Sequence, residues 1–230
     1  DEAVGIDCYS IANMGADSIV LNAPISRVYG DLSLLSKYGM DTVTLDGIVY
    51  LKMTVQGRDV MQFVRIVDGD EMDLTIRGVL RYEGIDYPVS GWIYAYENRN
   101  IRNVTVESIP DQGIFFNKSS TKTLRFINTE PLDLTHSYFR SCDELSSVSF
   151  EGPGDAIGFN VFGDSTEIRS LRFAKDVGSI AYSAIASNNY IEQLVFEGSV
   201  EQIISESFGS FTKLKSVVFK GNVGSIDRYA

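Results

Sequence analysis

Positive charge is scarce in this chain. Twenty Lys and Arg stand against 31 Asp and Glu, a formal charge of −11 over 230 residues. A surface of that sign repels phosphate backbones and anionic lipid headgroups, so nucleic acid and anionic membrane are poor partner classes. No apolar run approaches the roughly 18 residues that a membrane-spanning helix takes, which excludes direct membrane insertion by this segment. Cysteine is also sparse. Cys8 and Cys142 are the only two, far too few for a disulfide scaffold in a chain of this length. His136 is the single histidine, which leaves zinc sites and hydrolytic triads short of ligands and bases. One Trp and five Pro accompany 20 Gly, 12 Tyr and 13 Phe, a balance that suits a β-rich, turn-rich protein. With 44% apolar and 22% charged residues the chain is not of disordered composition. The opening "DEAVGIDCYS" has neither a basic n-region nor an apolar h-region, so any export signal is expected to have been removed or never to have been present.

What is present is a repeat. "ELSSVSFEG", "EIRSLRFAK", "YIEQLVFEG" and "KLKSVVFKG" align so that the pairs Val148/Phe150, Leu171/Phe173, Leu194/Phe196 and Val217/Phe219 begin at 148, 171, 194 and 217, a constant step of 23. Leu124/Phe126 and Val104/Val106 fit more loosely, one step of 24 and a further step of 20 upstream. Each unit reads as a short strand with two inward apolar residues. A turn follows, then a second apolar pair three apart: Val177/Ile180, Val200/Ile203 or Val223/Ile226. A further core residue closes the unit: Phe139, Phe162, Ile185 or Phe208. Such units are shorter than the roughly 30 residues of a strand-helix-strand crossover. They match the roughly 20 to 29 residues of a leucine-rich-repeat coil, whose stacked strands make a parallel sheet.

The spacing predicts three segments: partial coils over 1–47, an antiparallel β capping or inserted segment over 48–100, and a repeat solenoid over 101–230. In the first, Ile19/Leu21 and Val43/Leu45 stand a step of 24 apart, with Ile25/Val28 between them. In the second, alternating stretches end in turn-type residues, Gly57, Gly69, Gly84 and Pro88, as hairpins do. The fold class expected is mainly β: a β-rich α/β solenoid with a parallel sheet, plus the antiparallel segment. The end at "NVGSIDRYA" falls within a coil, which leads to the expectation of further coils or of an excised piece.

"SYFRSCDELSSVSFEG" and "SESFGSFTKLKSVVFKGNVGSI" run as aromatic, two residues, Cys or apolar, two residues, Leu, two residues, Val. This pattern resembles the BspA-like leucine-rich-repeat family, whose coil runs Val-x-x-Ile, Ala-Phe, then Cys-x-x-Leu-x-x-Val. "LRYEGIDYPVSGW" is similar to the segment that leads into the first coil of such proteins. The chain departs from the pattern where Tyr138, Val161 and Ser207 replace Ala and where the Cys position is filled only once. The resemblance implies an exported or surface-displayed bacterial protein that binds other proteins, and it implies no active site.

The residues with chemical potential read mostly as structure. Cys142 occupies an inward position of the repeat and is followed by Asp143 and Glu144, a setting that disfavours a thiolate. Cys8 lies more than five coils away, beyond disulfide reach. His136 shares a loop with Asp133, which permits a hydrogen bond between them. "DGDEMD", residues 68–73, places its Gly second and lacks the Glu of a calcium loop. "EGPGDAIG", residues 151–158, lacks the Lys-Ser/Thr of a phosphate loop. No catalytic, metal or cofactor residue is assigned, and no cofactor is expected.

One column remains, the outward residues between the inward strand pairs: Thr105, Arg125, Ser149, Arg172, Val195 and Val218. Stacking brings them together about 4.8 Å apart on the face that repeat proteins use for recognition. Arg125 and Arg172 at its centre either anchor an acidic partner or simply keep an open sheet soluble. The function expected is a non-catalytic protein-binding or adhesion module working outside the cell or on its surface. Its partners would be host matrix or bacterial surface proteins, or a glycan. Two alternatives stand beside it: a carbohydrate-binding or polysaccharide-processing parallel β-helix, which needs paired carboxylates that this column lacks, and a structural spacer.

Overall fold

Short strands with two inward apolar residues are stable only when neighbouring coils supply both backbone partners and core. The computed structural model describes residues 4–15, 18, 19, 25–165, 167–185, 190–208 and 211–230. It divides into two units: 1–68 with 77–94 and 110–113, and 69–76 with 95–109 and 114–230.

The second unit is mainly β and solenoidal. Seven strands, Met72–Ile76, Ile101–Val106, Thr123–Phe126, Ser147–Phe150, Ser170–Phe173, Gln193–Phe196 and Ser216–Phe219, form one sheet in that order. Every pairing in it is parallel. A second parallel sheet takes Leu132–Asp133, Gly154–Ile157, Val177–Ile180, Val200–Ile203 and Val223–Ile226. Ile114–Asn117 and Tyr138–Arg140 pair in parallel on a third side. Each coil thus contributes inward residues from several sides, and one core runs along the stack.

That core is a column of phenylalanines. Phe126, Phe150, Phe173, Phe196 and Phe219 stack with centroid separations of 4.7, 4.9, 4.6 and 5.0 Å and interplanar angles of 15° or less. The strand spacing of roughly 4.8 Å imposes this distance, because rings at the same position of successive coils must stack or clash. Phe116, Phe139 and Phe162 form a second column at 5.4 and 5.9 Å. Phe139 and Phe162 meet the first column edge-on, against Phe126 at 6.1 Å and Phe150 at 6.3 Å.

In the first unit, Val4–Asp7 pairs in parallel with Ile25–Tyr29, and the helix Cys8–Asn13 follows the first of these strands. Of the expected N-terminal pairs, Val28 is buried, whereas Leu21 lies outside the described residues. Val43 and Leu45 do not continue a coil. They sit in Asp41–Leu45, which runs antiparallel to Ile48–Val55. The reason is local: Asp46 and Gly47 have φ of 49° and 79°, the paired left-handed values of a two-residue hairpin turn. Gln56-Gly57 and Glu83-Gly84 repeat this geometry at 52° and 76° and at 50° and 82°. They reverse the chain between Ile48–Val55 and Arg58–Ile66 and between Val79–Tyr82 and Ile85–Ser90. The resulting five-stranded sheet is antiparallel except where Arg58–Ile66 meets Ile85–Ser90. Pro88 lies within that last strand, paired with Val79, and not in a turn. The core of this unit gathers Cys8, Val28, Leu35, Met40, Leu51, Met53, Val55 and Val60. Gln62 is fully buried nearby in sequence, its Oε1 without a hydrogen-bond partner among the described residues.

The segment boundaries expected at 47 and 100 differ from the division observed. Met72–Ile76, inside the 48–100 stretch, is the first strand of the long parallel sheet, where it pairs with Ile101–Val106. Its Leu74 and Ile76 are buried like the inward pairs of the coils.

Candidate binding face of the solenoid

A parallel sheet holds equivalent residues in line, and here the register is unbroken through the outward column. Thr75 pairs with Thr105, Thr105 with Arg125, Arg125 with Ser149, Ser149 with Arg172, Arg172 with Val195, and Val195 with Val218. All six residues singled out in the sequence therefore share one line. Thr75, absent from the sequence reading, begins it. Six steps of roughly 4.8 Å make a strip about 29 Å long. Arg125, Arg172 and Val218 are exposed, and Thr105, Ser149 and Val195 half-buried.

Neither arginine stands alone. Arg125 Nε and an Nη donate to both oxygens of Glu151, at 3.1 and 3.0 Å. Arg172 does the same to Glu197, at 3.4 and 3.2 Å. Ser149 Oγ also donates to Glu151 at 3.1 Å. These bonds, led by that from Arg125, hold the Glu151 carboxyl below the usual carboxylate range and raise Arg125. Each pair is bidentate but partly exposed, so its worth is about 0.5–1 kcal/mol. The centre of the strip is thus locally near neutral.

A second line runs beside the first. Asn103 Nδ2 donates to Asp73 at 2.6 Å, and Thr123 Oγ1 donates to Asn103 Oδ1 at 2.6 Å. Ser147 and Ser170 continue it by register. The face is rich in hydroxyls and short side chains, and both of its arginines are paired with carboxylates. Sequence reasoning missed the carboxylates. Their signal was the residue after each inward phenylalanine, Phe150-Glu151 and Phe196-Glu197, one coil beyond each arginine.

The remaining candidates have structural employment. Cys142 is fully buried. Its N–H donates to Ser165 Oγ at 3.1 Å, its Sγ donates to the Arg140 carbonyl at 3.5 Å, and burial pushes its thiol up to about 11. Cys8 is buried and its thiol is raised by burial and by Asp7; neither cysteine is in a disulfide. Asp133 accepts from the Thr135 N–H at 2.7 Å, and it is the Thr135 hydroxyl that lies 3.1 Å from His136 Nδ1. In the acidic run, Glu71 pairs with Arg102 and Asp73 belongs to the polar line. Among the described residues no cluster of His, Cys, Asp and Glu is arranged to hold a metal ion, and no helix is long and apolar enough to cross a membrane. In the glycine-rich stretch, a Cβ on Gly152 would lie 2.0 Å from the Asn128 carbonyl oxygen, so that glycine serves coil packing.

Residues 133–230 match the model of the BspA type leucine rich repeat region in six copies. No curated protein and no solved structure matches the chain.

Proposed function

From six BspA-type leucine-rich repeats over residues 133–230, repeats of a generally non-catalytic kind that fits protein binding or adhesion, we propose that this chain is a non-catalytic protein-binding module acting outside the cell or on its surface. The observation that carries the proposal is the unbroken register of Thr75, Thr105, Arg125, Ser149, Arg172, Val195 and Val218 on one exposed sheet face. A strip about 29 Å long suits an extended partner surface. Because Arg125 and Arg172 are each held by a carboxylate, recognition rests on shape and hydroxyl hydrogen bonds more than on net charge.

The test is capture from extracellular-matrix and bacterial-surface extracts on the immobilised 230-residue chain, with two variants. Ser149→Trp places a bulky ring at the middle of the strip. The double change Arg125→Glu and Arg172→Glu sets four carboxylates side by side. Both are expected to lose the captured proteins while keeping their far-ultraviolet circular dichroism. Undiminished capture by both eliminates this face, and capture of nothing by the parent chain favours the spacer reading.

A further inference from the structure

At the corner between the third side and the seven-stranded sheet lies a cleft of ≈ 650 Å³. Arg99, Lys118, Ser120, Ser141, Asp143 and Asp164 are among its lining residues. Four successive coils build it. The Ser120 N–H donates to the Asn98 carbonyl at 2.9 Å, Lys118 N–H to that of Arg140 at 3.2 Å, and Ser141 N–H to that of Gly163 at 3.0 Å. The side chains therefore hang on a backbone held at every coil.

Most charges at this corner are already matched. Lys118 pairs with Glu97 at 3.2 Å, Arg140 with Asp164 at 3.4 Å, and Arg102 with Glu144 at 3.4 Å. Two are not. Among the described residues neither Arg99 nor Asp143 forms an ion pair, and both line the same cleft. Whatever satisfies both must accept from a guanidinium and donate to a carboxylate, in a cleft that serines also line.

A hydroxyl group donates and accepts at once, which neither an ammonium nor a carboxylate does. An anion entering the cleft meets Asp143, Glu144 and Asp164; a cation meets Arg99 and Lys118. A neutral polyol meets neither penalty. The volume falls within the roughly 300–1,000 Å³ typical of small-molecule sites. We infer that this cleft binds a neutral oligosaccharide, with Arg99 donating to one sugar oxygen, Asp143 accepting from another hydroxyl, and Ser120 and Ser141 completing the contacts.

Calorimetric titration of the full chain with cellohexaose, maltohexaose and chitohexaose tests this. At least one is expected to bind, and Arg99→Ala and Asp143→Asn are each expected to weaken it about tenfold or more, the loss of one charge-assisted hydrogen bond. Both variants should keep the parent melting temperature, since both side chains are exposed. Silence from all three sugars at millimolar concentration overturns the inference, as does binding that neither variant weakens. Binding of an alternating Lys-Glu peptide in place of every sugar also overturns it and assigns the cleft to a zwitterionic ligand. The sheet-face variants leave these residues untouched, so either proposal can fail alone.

Discussion

Replacing Phe173 by Ala removes the middle ring of a five-ring stack. Phe173 is fully buried, with Phe150 at 4.9 Å on one side and Phe196 at 4.6 Å on the other. Truncating a buried Phe to Ala costs about 3–5 kcal/mol, and two lost ring contacts at about 1 kcal/mol each place this site near the upper end. Phe219 is the contrast: half-buried, with one stacking neighbour, Phe196, at 5.0 Å. Its truncation is expected to cost about half as much. In a stack where each coil contacts only its neighbours, the damage is also directional. Hydrogen exchange by mass spectrometry should show protection falling over 170–226 in Phe173→Ala while 101–126 stays protected. Urea denaturation supplies the magnitude. A Phe173→Ala cost under about 1.5 kcal/mol, or a loss equal to that of Phe219→Ala, would refute the claim that the ring column carries the solenoid.

Other expectations follow from single contacts. A Cβ on Gly178 would lie 2.2 Å from the Asp155 carbonyl oxygen, whereas one on Gly154 would find its nearest atom, Val177 Cγ1, at 3.6 Å. Gly178→Ala should therefore cost about 2–3 kcal/mol and Gly154→Ala little, by thermal melts; equal effects would count against the close coil approach. Gln62→Met removes a buried acceptor that has no partner among the described residues and should raise the urea midpoint by an amount equivalent to about 1 kcal/mol; a lowered midpoint would mean that Oε1 is satisfied after all. Glu151 has a folded pKa below its unfolded value. Its contribution is present above about pH 4.3 and is lost as pH falls through the lower folded value. The stability gap between the parent chain and Arg125→Ala, about 0.5–1 kcal/mol at pH 7, should close toward pH 3, and a gap independent of pH would remove the ion pair as its cause.

The repeat was legible because its cause is local and recurs. An inward Val or Leu followed two residues later by Phe needs only strand alternation, and four copies at a step of 23 allow nothing but stacking in register. Cys142 was readable as a core residue for the same reason, since the repeat gave its position a direction. The hairpin at Asp46-Gly47 was equally local, an Asp-Gly pair between alternating strands, but the faint 24-residue echo of Val43 and Leu45 masked it.

Tertiary structure decided whatever depends on which strands become neighbours. "DLTI" in Met72–Ile76 alternates as the hairpin strands do, and only its pairing with Ile101–Val106 makes it the first strand of the long parallel sheet. The outward column followed from the period, but the state of its charges did not. Glu151 stands 26 residues from Arg125 and Glu197 stands 25 from Arg172, separations that become ion pairs only when coils stack. The cleft holding Arg99 and Asp143 has the same origin, a corner assembled from four coils. Hydrophobic periodicity specifies which way a side chain points, and coil stacking specifies what it meets there.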